Sequence, residues 1–280
     1  MSGIAYPSLR GPVATALRMA AFAPWFGAIA LAWLPIAPFL GRRAKVAWAG
    51  RCTHAFNRGM MRILGIRLKV HGRPPRGPFF LVTNHLGYLD VTVLASALRC
   101  AFVAKSEVAA WPVFGAPASW SGTLFIDRKS SSDVARVNRL IADRMECGGS
   151  LVLFPEGTST DGEGLETFRS SLLQGPAASA LPVHFAALRY RTPGDAQPAS
   201  RSMCWWGDME FLPHFLNLFR MQGMEASIAF GNQPVADGNR KVLAERLREG
   251  VQDRLDYLES LERGPRARSP SQAMLRETAA

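Results

Sequence analysis

From Met19 to Leu40 the chain runs 22 positions without a charged side chain. As one helix this stretch is about 33 Å long, enough to match a bilayer core, and it offers no polar face of the kind a surface helix needs. Pro24, Pro35 and Pro38 argue against a straight crossing, while Trp25 and Trp33 suit a membrane interface. Arg42, Arg43, Lys45 and Arg51 follow the run, and Arg10 and Arg18 precede or open it. Basic residues on both sides leave a crossing and a re-entrant hairpin equally open. An apolar helical pair buried in the protein has the same composition. A cleaved signal peptide does not fit, since arginines follow rather than a small-residue cleavage site.

Charge sharpens the picture. The chain carries 33 Lys and Arg against 22 Asp and Glu, and twelve of the basic residues fall before Asp90, the first acidic residue. A positive field confined to one end needs an anionic partner. No zinc finger, RNA-binding aromatic signature or helix-turn-helix spacing accompanies it, so nucleic acid is not expected. Anionic lipid fits, because the same segment is hydrophobic.

Downstream, short apolar runs alternate with helical periodicity. Strands are expected near 66–70, 78–84, 101–104, 123–127, 151–154, 181–187 and 225–230. Helices are expected after Tyr88 and from Ser130, with Asp133 three residues on as a capping pair, to about Cys147. This predicts an α/β fold: a mixed or largely parallel sheet flanked by helices, with an N-terminal apolar helical membrane anchor. Residues 238–262 predict an amphipathic helix with Val242, Leu243, Leu247, Val251, Leu255 and Leu258 inward. The expected organisation is an anchor over 1–58, an α/β domain over 59–237, the amphipathic helix over 238–264 and a disordered tail over 265–280. Cys52, Cys100, Cys147 and Cys204 form no CxxC pair and read as reduced. No metal-ligand motif appears, so no bound metal or cofactor is expected.

The chemistry-bearing residues sit where strands end. In PFFLVTNHLGYLD, His85 follows an apolar run, and Asp90 lies near the first turn of the next helix. If the chain folds back, Asp90 can fix one imidazole nitrogen and leave the other to take a proton from an alcohol. By itself His85 could equally cap a strand-to-helix loop. No G-x-S-x-G serine or cysteine nucleophile motif accompanies it, so direct attack by a substrate hydroxyl on an activated acyl carbon is the simplest chemistry. GTLFIDR ends in Arg128, whose planar donor fork suits phosphate or carboxylate, although alone it reads as a solvated arginine. In FPEGTSTDG, Gly157 permits a turn closed to other residues, and Thr158 and Ser159 can donate to an anion. Glu156 is expected to bond a substrate hydroxyl or hold Arg128, and Arg169 to add a second positive charge. SEVAAWPVFGAPASWSG could line an acyl channel, and WWGDMEFLPHFLNLF could form an apolar helix against membrane or substrate chains; ordinary packing would produce both compositions.

Four ordered blocks resemble the glycerolipid/lysophospholipid acyltransferase family, of the bacterial 1-acylglycerol-3-phosphate acyltransferase type. They are Asn84, His85 and Asp90; Gly122, Phe125, Ile126 and Arg128; Phe154 to Thr158; and Leu181 to Val183. The resemblance covers residues 60–235. It implies that His85 is the general base and Asp90 its partner. It also implies that Asn84, Gly122, Phe125, Arg128, Glu156, Gly157, Thr158 and Arg169 serve substrate binding. The implied donor is a thioester on acyl carrier protein or coenzyme A, the acceptor a lysolipid, and the place the cytoplasmic side of the inner membrane. Many phosphatidate-forming members carry an arginine where Ser159 stands and an F-K-x-G block where FRSSLL stands. In this the chain resembles the branch that acylates lyso-ornithine lipid. The expected acceptor is 1-acylglycerol-3-phosphate first and lyso-ornithine lipid second.

Overall fold

A computed structural model describes residues 11–111, 114–194 and 196–263; the predicted tail lies outside them. Two long helices come first, α1 (Pro12–Trp33) and α2 (Arg42–Leu64), joined by a turn that includes Pro35 and a 3-10 segment at Ala37–Phe39. The apolar run is therefore the first arm and tip of a helical hairpin. Pro24 does not interrupt α1, since a proline removes only one main-chain bond from a 22-residue helix. Pro35 and Pro38 lie in the connection. Residues 12–39 are long and apolar enough to cross a membrane, and only 6% of their most apolar window is buried.

The sheet and its helices follow in the order β1 (Arg67–His71), β2 (Phe80–Thr83), α3 (Leu89–Ala97), β3 (Ala101–Lys105), α4 (Gly115–Trp120), β4 (Leu124–Ile126), α5 (Ser131–Glu146) and β5 (Leu151–Leu153). Then come α6 (Gln174–Ala178), β6 (Val183–Arg191), α7 (Ala199–Ser202), α8 (Phe211–Arg220), β7 (Glu225–Phe230) and α9 (Arg240–Arg263). The seven strands lie in the order β1-β7-β6-β2-β5-β3-β4. All neighbours are parallel except β6 and β7, so the sheet is mixed with a five-strand parallel block. β2 is central and buried at every residue, which explains why FLVT reads as a continuous apolar run and not as an alternation.

Local signals end where they should. The Ser130 hydroxyl accepts from the Asp133 amide to cap α5, and Val137 and Ile141 face the core. α9 buries Leu243, Leu247, Val251, Leu255 and Leu258 against the sheet, but Val242 lies outside the stripe and is exposed. α2 runs on past residue 58 and packs on α3, so the hairpin is continuous with the α/β body. Arg18, in the first arm, donates to the main-chain oxygens of Phe219 (3.2 Å) and Met221 (2.7 Å) at the end of α8. A cation at a helix C-terminus is favoured by the helix dipole, and this contact ties α1 to the body.

Candidate active site

β2 ends at Thr83 and α3 begins at Leu89, so the intervening loop must reverse at the C-terminal edge of the parallel strands. That reversal brings His85 Nδ1 within 2.7 Å of Asp90 Oδ2. The same oxygen accepts from the Leu86 amide at 2.6 Å and the Gly87 amide at 3.1 Å. Tyr190, from β6, donates its hydroxyl to Oδ1 at 2.6 Å. Asp90 has no solvent exposure, so these four donors replace its water shell. His85 keeps 22% of its side chain exposed and stacks on Phe154 with ring centroids 4.2 Å apart. With Nδ1 committed to the carboxylate, Nε2 is the nitrogen left for a substrate proton.

The loop after β5 wraps the main chain of His85. Glu156 Oε1 accepts from the His85 amide at 2.6 Å, its Oε2 from the Glu166 amide at 3.1 Å, and the Thr160 amide donates to the His85 oxygen at 2.9 Å. Glu156 therefore holds the main chain of the His85 loop through both of its oxygens, and among the described residues it forms no ion pair with Arg128. Burial pushes its carboxyl up to about 7, against the pull of those two amides. Arg128 instead donates through Nη1 to the Gly157 oxygen. Gly157 has φ +80°, and a Cβ there would lie 2.9 Å from Arg169 Nε and 3.2 Å from Arg128 Nη1. Two guanidinium groups thus converge over one turn that only glycine fits. Burial, then the charge of Arg169, lowers the basicity of Arg128, an arrangement that an anion between them would relieve. Thr158 is exposed at the rim of the same turn.

Three of the predicted binding residues have structural partners within the protein. Asn84 is buried, and its side chain bonds both main-chain groups of Leu188, donating at 3.0 Å and accepting at 2.7 Å. It continues the sheet ladder past the end of β2 and fixes the residue that precedes His85. Gly122, at φ +78°, turns the chain into β4, where a side chain would collide with Arg144. Phe125 is half-buried on β4, and its main-chain oxygen is anchored by Arg136 at 2.7 Å. The residues missed from sequence are Tyr190, Thr160 and the stacking role of Phe154. Only Tyr190 carried a signal, as a tyrosine inside an apolar strand, which needs a hydrogen-bond partner when buried.

Against the start of α3 opens an apolar cavity of about 220 Å³, lined among others by Phe22, Phe26, Phe56, Leu89, Trp111 and Phe211. Its walls come from the hairpin, from the segment before α4 and from α8, the two aromatic stretches picked out in the sequence. Tyr88 and His214 form one polar contact in its aromatic wall, at 2.7 Å. Among the described residues no group of three or more His, Cys, Asp or Glu could hold a metal ion.

The α/β frame thus carries an imidazole held by a buried carboxylate, two converging guanidinium groups and an apolar cavity, groups whose chemistry can support acyl transfer. The acyltransferase family profile matches residues 67–185. The lyso-ornithine lipid O-acyltransferase of Brucella abortus (strain 2308) is 31% identical over 239 residues, spanning 80% of this chain and 88% of that protein. The 1-acyl-sn-glycerol-3-phosphate acyltransferase of Neisseria gonorrhoeae is 34% identical over 143 residues, 50% of this chain and 56% of that one. In fold, the crystal structure of the 1-acyl-sn-glycerophosphate acyltransferase of Thermotoga maritima superposes with a TM-score of 0.56 at 16% identity, covering 85% of this chain and 97% of that chain. The protein belongs to the glycerolipid/lysophospholipid acyltransferase family and is an acyltransferase.

Proposed function

We propose that the protein moves a fatty acyl group from an acyl thioester, carried by acyl carrier protein or coenzyme A, to the hydroxyl of lyso-ornithine lipid. The observation that carries the chemistry is the His85–Asp90 pair, with Nδ1 bound and the ring partly open to solvent. The acceptor hydroxyl gives its proton to His85 Nε2 as its oxygen attacks the thioester carbonyl carbon. The tetrahedral intermediate collapses, the carbon–sulfur bond breaks, and the thiolate takes the proton from the imidazolium. Asp90 stays ionised and stabilises the imidazolium while it exists. The apolar cavity suits an acyl chain, and the hairpin suits attachment to the cytoplasmic face of the inner membrane, where lysolipid resides.

For the acceptor, Arg128 and Arg169 favour an anionic head group, and an arginine fork serves a carboxylate as well as a phosphate. The order expected from sequence is reversed here, because similarity to the lyso-ornithine enzyme runs over far more of both chains than similarity to the glycerophosphate enzyme. Ser159 and FRSSLL point the same way. The test offers detergent-solubilised protein an acyl carrier protein thioester with lyso-ornithine lipid or lysophosphatidate, and identifies products by mass spectrometry. Diacyl ornithine lipid is expected. Phosphatidate alone would restore the glycerophosphate acceptor, and free fatty acid alone would make the enzyme a hydrolase.

A further inference from the structure

At the end of the sheet away from His85, a groove of about 1100 Å³ opens between α2, the β1–β2 connection and the segments entering β3 and β5. Arg51, Arg73, Arg76 and Arg99 line it, with Arg144 beside them, and no Asp or Glu does. The first four are exposed, and none makes a side-chain hydrogen bond or ion pair within the described residues. Arg144 donates to the main-chain oxygens of Gly122 and Ser121, at 3.1 and 3.4 Å, and among the described residues no carboxylate pairs with it. Arg73 and Arg76 bracket Pro74 and Pro75, whose rings restrict the backbone between them. A cleft lined by one sign of charge concentrates the field on whatever enters it.

We propose that this groove binds the phosphate-bearing head group of an anionic membrane phospholipid, beside the point where the α1–α2 hairpin enters the bilayer. The hairpin tip exposes Leu34, Ile36 and Phe39, the last at 88%. The groove's α2 wall begins at Val46 and ends at Arg51. At about 1.5 Å per residue, that wall lies roughly 6–13 Å behind the start of α2. With the tip in the hydrocarbon, this depth matches the head-group layer, about 5–8 Å thick on each side of the core. Guanidinium groups pair with phosphate through two parallel bonds, which suits the head group in charge and shape. An acidic carrier protein docked here would deliver its acyl group to the wrong end of the sheet, since Gly77 and Phe79 precede β2 and His85 follows it.

The inference rests on the membrane part of the proposed function and not on acyl transfer. Full-length protein is sedimented with phosphatidylcholine vesicles, with and without phosphatidylglycerol. A variant with Arg51→Ala, Arg73→Ala, Arg76→Ala and Arg99→Ala is compared with one that removes four exposed charges elsewhere, Arg139→Ala, Arg201→Ala, Arg240→Ala and Lys241→Ala. Each groove arginine is worth roughly fivefold in partitioning, so the groove variant, which removes four, should lose roughly several hundredfold on anionic vesicles. Binding to neutral vesicles should not change, and the control should lose far less. Equal losses in the two variants, or none in the groove variant, would overturn the site. Acyl transfer to detergent-dispersed lysolipid should be unaltered in the groove variant, which reports an intact fold. If that transfer is absent in the wild type as well, acyl transfer fails, while the vesicle result still judges the groove.

Discussion

Replacing Tyr190 with phenylalanine tests the catalytic pair through a residue 100 positions away in sequence. The ring fills the same space in a site only 7% exposed, so packing is kept and only the hydroxyl is lost. Asp90 Oδ1 then has no donor, while Oδ2 keeps its three. A hydrogen bond to a charged group is worth about 1.5–3 kcal/mol, and the low end applies because the other oxygen remains satisfied. Burial, reinforced by the charge of Asp90, keeps the Tyr190 hydroxyl protonated far above the ordinary phenol range, so wild type holds this bond throughout any practical assay. Its loss leaves the buried negative charge short of a donor and loosens the hold on the His85 imidazole. The kcat/KM for acyl transfer should therefore fall roughly tenfold, since about 1.4 kcal/mol corresponds to a factor of ten. The assay follows acyl transfer to lyso-ornithine lipid in both proteins, with melting curves beside it. A role limited to packing would lower the melting temperature and leave turnover in place. Near-wild-type turnover in the folded variant would refute the reasoning.

Other expectations follow from the same geometry. His85→Ala should lose roughly 10²–10⁴-fold in turnover with thermal stability little changed, which steady-state rates and melting curves check together. Arg128→Ala should raise the acceptor KM roughly tenfold to a hundredfold and leave the donor KM nearly unchanged; a donor-only effect would move Arg128 out of the head-group site. Glu156 binds more protons folded than unfolded between about 4.5 and about 7, so its contribution lowers wild-type stability as pH rises through that window. The difference in melting temperature between wild type and Glu156→Gln should drift in that sense, and a flat difference would show that burial does not govern this carboxyl. Leu31, Leu34 and Phe39 are exposed, so changing all three to serine should abolish pelleting with neutral vesicles without unfolding the protein, as vesicle sedimentation and circular dichroism would show.

Much of the molecule is written locally. A strand buried on both faces reads as an uninterrupted apolar run, and a helix start announces itself as Ser130 with Asp133, so the alternating elements were legible along the chain. His85 and Asp90 were legible for the same reason, since a five-residue separation across a strand-to-helix turn leaves little choice but contact. Partners remote in sequence were not legible. Nothing near FPEGT says that Glu156 would spend both oxygens on the His85 and Glu166 amides, or that Asn84 would extend the sheet to Leu188. Those choices depend on which strand lies beside which, and strand order is set by packing over the whole sheet. Tyr190 meets Asp90 because β6 lies next to β2, and Arg51, Arg73, Arg76 and Arg99 share a groove because α2 packs across the sheet's far end. Composition announced a positive N-terminal third and an apolar run; tertiary packing folded that run into a hairpin arm and decided where the charges gather, because side chains scattered along a chain acquire a common field only when folding brings them to one cleft.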